Sequence, residues 1–220
     1  PWSSAWAVQT GVIESGELAA GASRYDPITK EQIAGSGLDY LALGHTHQHD
    51  GVHHAGKTAY AYAGCPEGRG FDELGEKGIL AGTVECGRAQ MQFVPFARRR
   101  YEALRVDVTG KSPEDALRTA LPQMTARDIY RVVLTGETDE RGVDLERLEE
   151  RFAPDFFYLE VRDETRIGAD VWARAEEDSL RGMFLRTLRE KYDAAQDDAE
   201  RAQIDLAVRF GLAALDGRDM

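Results

Sequence analysis

Cysteine is scarce in this chain: 220 residues hold two, Cys65 and Cys86. Two are too few for a disulfide framework and lack the CxxC spacing of a zinc knuckle, so both read as ordinary reduced thiols. Long hydrophobic runs are missing as well. No stretch approaches the roughly 18 apolar residues needed to span a bilayer, and the first residues lack the basic segment, apolar core and cleavage site of a secretory signal. No membrane association and a cytoplasmic protein are therefore expected. Positive charge is in deficit, with 27 Lys and Arg against 39 Asp and Glu and a formal net charge of −12. That balance argues against a generally basic nucleic-acid surface, because phosphate contacts are normally supplied by clustered lysine and arginine. Bound metal ions reverse the sign locally.

What remains is an ordinary globular composition, 42% hydrophobic and 30% charged, at a length that holds one or two domains of roughly 100–200 residues. The chain starts at Pro1 and enters a strand pattern within a few residues, so an upstream part is expected to be missing and the chain is read as a fragment.

Three stretches differ in texture. Residues 1–97 are rich in glycine and short apolar runs. Strand patterns are predicted over 5–9, 39–43, 58–63, 78–85 and 89–96, with a short helix over 28–34. The last two strands flank Cys86-Gly87 in the manner of a two-residue hairpin turn. Residues 98–168 alternate strand and helix: strands over 101–108, 129–134 and 156–161, and helices from Ser112-Pro113 to about 121 and over 144–152. That order suggests a small separate α/β domain. Residues 169–220 read as helix throughout, with Leu180, Met183, Phe184, Leu188 and Tyr192 at helical spacing and Ile204, Ala207, Val208, Phe210 and Leu212 on a second helix, an antiparallel pair. The fold class is α/β.

All five histidines, His45, His47, His49, His53 and His54, fall within ten residues directly after the strand 39–43 and Gly44. A Gly-His-x-His loop at a strand end suits metal binding: glycine lets the backbone turn sharply, and alternate histidines present imidazoles to neighbouring positions. His45 and His47 are the candidate ligands. His49, His53 and His54 lie further along, where Gly51 and Gly56 suggest a solvent-exposed excursion, and read as bystanders.

The run Asp39-Tyr40-Leu41-Ala42-Leu43-Gly44-His45-Thr46-His47, followed by Tyr62-Ala63-Gly64-Cys65-Pro66-Glu67-Gly68-Arg69, resembles the last metal motif of calcineurin-like metallophosphoesterases. The continuation through Gly70-Phe71-Asp72-Glu73, Gly75-Glu76-Lys77-Gly78, the hairpin ending at Phe96 and the arginines after it is similar to the SbcD-type DNA repair exonucleases. The likeness covers about residues 5–105. It implies the C-terminal part of a four-layer metallophosphoesterase β-sandwich over 1–97, a capping domain over 98–168 and a helical partner-binding segment over 169–220.

The resemblance also implies two divalent ions, manganese expected, with His45 on one and His47 on the other. Such a pair, about 3.5–4 Å apart, activates a hydroxide in line with a phosphodiester and neutralises the leaving oxygen. The family's other ligand motifs precede this region and find no counterpart in these residues. Where relatives carry a histidine before a small residue and a glycine, Gln9-Thr10-Gly11 stands, and an amide oxygen is a weak substitute for imidazole. Negligible nuclease activity is expected of the chain alone.

Arg69, Lys77, Arg98, Arg99 and Arg100 are candidate DNA phosphate contacts; the competing reading is a basic loop balancing an acidic protein. The C-terminal helices offer a surface for the coiled coil of an SbcC-like ATPase, or pack only on each other, and a homodimer is a further arrangement open to the parent protein. Two other functions share these residues: a phosphodiesterase or phosphatase acting on small molecules, and a non-catalytic capping and ATPase-docking module.

Overall fold

The computed structural model describes residues 10–13, 17–18 and 27–217, and the chain divides into two compact units, Pro1–Tyr101 and Glu102–Met220. The expected mixture of strands and helices is present in both. No helix among the described residues is long and apolar enough to cross a membrane.

The first unit holds β1 (Thr10–Ile13), β2 (Glu17–Leu18), β3 (Pro27–Ile28), α1 (Lys30–Gly35), β4 (Tyr40–Leu43), β5 (His53–Ala55), β6 (Thr58–Tyr62), β7 (Gly78–Glu85) and β8 (Arg88–Pro95). The short β2 and β3 pair in parallel. Its main sheet runs in the order β1-β4-β6-β5, with β4 parallel to both β1 and β6 and β5 antiparallel at the edge. Every residue of β6 is buried, the continuous apolar pattern of a parallel strand covered on both faces. Helix α1 starts at a capping box in which Gln32 N–H donates to the Thr29 hydroxyl and Thr29 N–H donates to the Gln32 side chain, satisfying two orphan donors of the first turn. It buries Ile33 into a cluster with Leu41, Leu43, Ala55, Tyr60 and Tyr62. Leu43 and Tyr62 are register partners at the ends of parallel β4 and β6, so the segments 44–52 and 63–77 leave from the same edge of the sheet.

The β7–β8 hairpin turns at Cys86-Gly87, as its spacing predicts. The buried Asp39 at the head of β4 fastens that turn, its Oδ1 accepting the Gly87 N–H at 2.8 Å. The strand pattern predicted over 5–9 lies outside the described residues, as does Gln9. The segment 51–56 departs from an open excursion: Gly51 and Gly56 flank β5, whose three residues pair with β6.

The second unit holds β9 (Tyr101–Asp107), which begins at the boundary, then α2 (Pro113–Ala120), β10 (Ile129–Thr135), β11 (Glu137–Thr138), α3 (Leu145–Phe152), β12 (Tyr158–Asp163), β13 (Arg166–Ile167), α4 (Ala169–Ala173), α5 (Leu180–Ala194) and α6 (Asp198–Leu215). Its sheet runs β12-β10-β9, with β10 and β12 parallel. Ser112 and Asp144 cap α2 and α3 through side-chain oxygens, and Leu117, Val132, Leu134, Leu148 and Phe152 form the core beneath. The helical stretch is broken where Ser179 and Asp197 adopt extended backbone and cap α5 and α6 in turn. The two helices are antiparallel: Arg181 near the start of α5 pairs with Asp216 just past α6, and Arg201 lies over the ring of Tyr192 at the opposite end. Gly211 permits their close approach, since a Cβ there would meet the Phe184 ring at 2.0 Å.

Candidate metal centre

The edge of the sheet from which β4 and β6 both depart is where open α/β sheets place their ligands, outside the carboxyl ends of parallel strands. His45 sits one residue past Gly44 with φ of 78°, a left-handed conformation that a residue carrying a Cβ adopts rarely and at a cost. The chain reverses there, exposing His45, and delivers His47 two residues later.

The carbonyl of His47 is held by two donors, the Cys65 N–H at 3.3 Å and the Lys77 ammonium at 3.3 Å; the Cys65 thiol, with one proton to give, lies 3.5 Å from the same carbonyl. Lys77 also donates to the Gln48 side chain at 2.9 Å and is only 4% exposed. Its ammonium therefore clamps the histidine loop from within, instead of standing in solvent as a phosphate contact. Gly64, with φ of 78°, passes so close that a Cβ would lie 3.0 Å from His49 N and 3.1 Å from His47 O; glycine is required there by both backbone conformation and space.

Glu73, from the loop after β6, meets the imidazole. His47 Nδ1 and Glu73 Oε1 are 2.5 Å apart, while Glu73 Oε2 accepts the Arg69 N–H at 2.8 Å. The hydrogen bond from His47, followed by that from the Arg69 backbone, holds the Glu73 carboxyl at about 2. An ionised carboxylate has no proton to give, so His47 Nδ1–H is the donor. The Arg69 guanidinium, 3.5 Å from the same ring nitrogen and 3.6 Å from Glu73 Oε1, then pairs with the carboxylate and not with the ring. Nε2 is the nitrogen left to carry a lone pair, and no group among the described residues bonds it. A ring whose one N–H is given to a carboxylate and whose other nitrogen is open is the arrangement in which histidine ligates metals. On this chemistry His47 fits a divalent ion.

Cys65 completes the cluster. Its thiol lies 3.7 Å from Glu73 Oε2, and burial, with the charge of Glu73, pushes it up, so it stays protonated. The ligand atoms of His47, Cys65 and Glu73 all lie within 4.8 Å of one another; His45 is not part of that group. His49 is also more than a bystander: its Nδ1–H donates to the Tyr62 carbonyl at 2.6 Å, and its ring stacks on Phe93 at 4.9 Å. His53 and His54 are residues of β5.

Arg69 is exposed beside the cluster. Arg98 and Arg100 are exposed and Arg99 is half-buried, with Arg100 donating to Glu76 at 2.5 Å. Sequence reasoning assigned no role to Glu73 or Cys65. They stand 26 and 18 residues from His47, and only the parallel register of β4 and β6 joins them to it.

No protein-family profile matches the chain. The chain is similar to an uncharacterized metallophosphoesterase, YhaO, of Bacillus subtilis (strain 168), with 36% identity over 93 residues, 42% of this chain. The matched segment spans 22% of that protein. This likeness supports the metallophosphoesterase superfamily.

Proposed function

We propose that the chain contributes the histidine loop of a two-metal phosphodiesterase centre that acts on DNA, as in SbcD-type repair exonucleases. The observation that carries this reading is the His47 imidazole, fixed through its Nδ1–H by Glu73 at 2.5 Å at the carboxyl edge of a parallel sheet. The main sheet and the β7–β8 hairpin are then parts of the two sheets of the metallophosphoesterase sandwich. His47 ligates through Nε2, and His45, turned outward by its left-handed backbone, serves the second ion. Manganese suits such a site because it accepts imidazole together with oxygen ligands, and when bound it supplies an activated water and neutralises phosphate charge.

The chain's own residues do the remaining work. Glu73 keeps the proton on Nδ1 and so keeps Nε2 basic. Lys77 fixes the backbone of the loop. Arg69, exposed beside the cluster, holds a phosphate oxygen by charge and by planar hydrogen bonding, and Arg98 to Arg100 extend the track along a polymer. Manganese-dependent DNA binding tests the reading. Manganese is expected to tighten binding of a short duplex to the 220-residue chain at least tenfold, and the His45→Ala/His47→Ala variant to abolish that gain; equal affinity with and without manganese overturns the reading.

The α5–α6 pair favours a docking role alongside. Leu180, Met183, Leu206 and Phe210 are each at least half exposed, and their proposed partner is the coiled coil of an SbcC-like ATPase. Met183→Asp combined with Phe210→Asp is expected to abolish co-elution with such a coiled coil, and retained co-elution counts against the docking role.

A further inference from the structure

We propose that His47, Cys65 and Glu73 form a second metal site, selective for thiophilic divalent ions such as zinc, whose occupation removes His47 from the manganese centre. The second half of that statement rests on the reading of His47 given above.

The cluster is closed by two protons. One lies between His47 Nδ1 and Glu73 Oε1, 2.5 Å apart; the other is the Cys65 thiol proton, shared between the His47 carbonyl at 3.5 Å and Glu73 Oε2 at 3.7 Å. A tetrahedral zinc ion, at about 2.3 Å from sulfur and about 2.0–2.2 Å from nitrogen and oxygen, spaces its ligand atoms roughly 3.3–3.8 Å apart. The Cys65–Glu73 separation of 3.7 Å already falls in that range, the His47–Glu73 pair at 2.5 Å must open by about an ångström, and all three ligand atoms lie within 4.8 Å of one another, so side-chain rotation converts the proton-bridged cluster into a metal-bridged one. Entry is through His47, whose side chain is 46% exposed, while Cys65 and Glu73 are buried behind it.

The exchange balances without a redox step. Cys65 releases its thiol proton to solvent and binds as thiolate. His47 moves its ring proton from Nδ1 to Nε2 and stays neutral. Glu73 is already ionised. One proton leaves per ion bound, and thiolate and carboxylate neutralise the divalent charge inside a largely buried cluster. Three protein ligands leave a fourth position for water, the pattern of an open zinc site. A thiolate selects zinc over manganese, which prefers oxygen and nitrogen. With Nδ1 on zinc and the proton on Nε2, His47 has no lone pair left for manganese, so the two occupations exclude each other through one tautomer.

Cobalt(II) is the probe, added to the full chain. A thiolate-to-cobalt charge-transfer band is expected, absent in Cys65→Ser, retained in Cys86→Ser and displaced by one equivalent of zinc. Zinc affinity is expected to fall on the order of a hundredfold in Cys65→Ser, with Cys65→Ala and circular dichroism guarding against misfolding. One equivalent of zinc is also expected to weaken manganese binding at least tenfold in the unmodified chain and to leave it unchanged in Cys65→Ser. No band, or a band that follows Cys86, overturns the proposal. Manganese binding indifferent to His47→Ala in zinc-free buffer, with the Cys65-dependent cobalt band present in the unmodified chain and weakened in His47→Ala, removes the manganese reading and leaves the thiophilic site standing.

Discussion

Two buried carboxylates, one in each unit, sit in opposite settings. Glu73 is 8% exposed and Asp205 3%, so both have left bulk water. Glu73 receives directed donors from His47 and from the Arg69 backbone, and its carboxyl is driven down to about 2. Asp205, on α6, is held more loosely: the Arg166 guanidinium and the Ile167 N–H favour its charged form, but neither oxygen has a donor in close hydrogen-bond geometry. Its ion-pair partner Arg166 stands 3.7 Å away, and burial pushes its carboxyl up. Its neighbour Arg209 is occupied elsewhere, by Asp163 at 3.0 Å and by Thr138 and Thr165 at 2.9 and 2.8 Å. Burial by itself therefore does not mark a functional acid. In the first unit two loops supply donors that fix one charge against one histidine. In the second a charge is carried into helix packing with incomplete compensation, as buried ion pairs often are.

The contrast breaks most completely at the histidines. His45→Ala/His47→Ala is expected to weaken manganese binding on the order of a hundredfold, measured by calorimetry, because each imidazole is a strong nitrogen donor. Glu73→Gln comes next. The amide keeps the shape but can present an N–H to the ring, which frees the His47 tautomer; manganese affinity should fall about 10–100-fold, the usual effect of losing a partner behind a metal ligand. Gly64→Ala strains a left-handed backbone and drives a Cβ against the histidine loop. A loss of about 2 kcal/mol in denaturant unfolding is expected, together with weaker metal binding.

Asp205→Asn has the smallest expected effect, within about 1 kcal/mol at neutral pH, since the charge it removes is poorly compensated. The two acids should differ in sign as pH changes. Glu73 is depressed, so its contribution is present above its ordinary value of 4.5 and is lost as pH falls towards 2; the stability gap between the unmodified chain and Glu73→Gln closes over that window. Asp205 is raised, so its favourable contribution is complete below its ordinary value of 3.8 and is lost as pH rises through its folded value. The unmodified chain should gain on Asp205→Asn as pH falls towards 3.8, and urea unfolding across pH 7 to 3 checks both signs.

Much of this architecture was legible because local chemistry marks it. Cys86-Gly87 sets a two-residue turn, Ser112-Pro113 opens α2, and the alternation of apolar runs predicts β7, β8 and β10. Features that depend on distant partners were not legible. β5 is three residues long and exists by pairing with β6, and β12 starts two residues later than its apolar run because a short 3-10 turn over Ala153–Asp155 takes up Pro154. The site divides the same way. His45 and His47 announce themselves by spacing, whereas Glu73 looks like any acid in a glycine-rich loop until the parallel pairing of β4 and β6 folds that loop over the imidazole. Lys77 reads as a surface cation because periodicity carries no information about an ammonium turned inward onto a backbone carbonyl.

The most direct test of the central claim is the protonation state of the His47 ring, read from long-range proton–nitrogen correlations in the isotope-labelled chain before and during a manganese titration. The account predicts a proton on Nδ1, an unprotonated Nε2, and paramagnetic broadening that reaches the His47 ring at the lowest manganese additions. A proton on Nε2 in the metal-free protein, or a His47 ring untouched by manganese while other residues broaden, would contradict it.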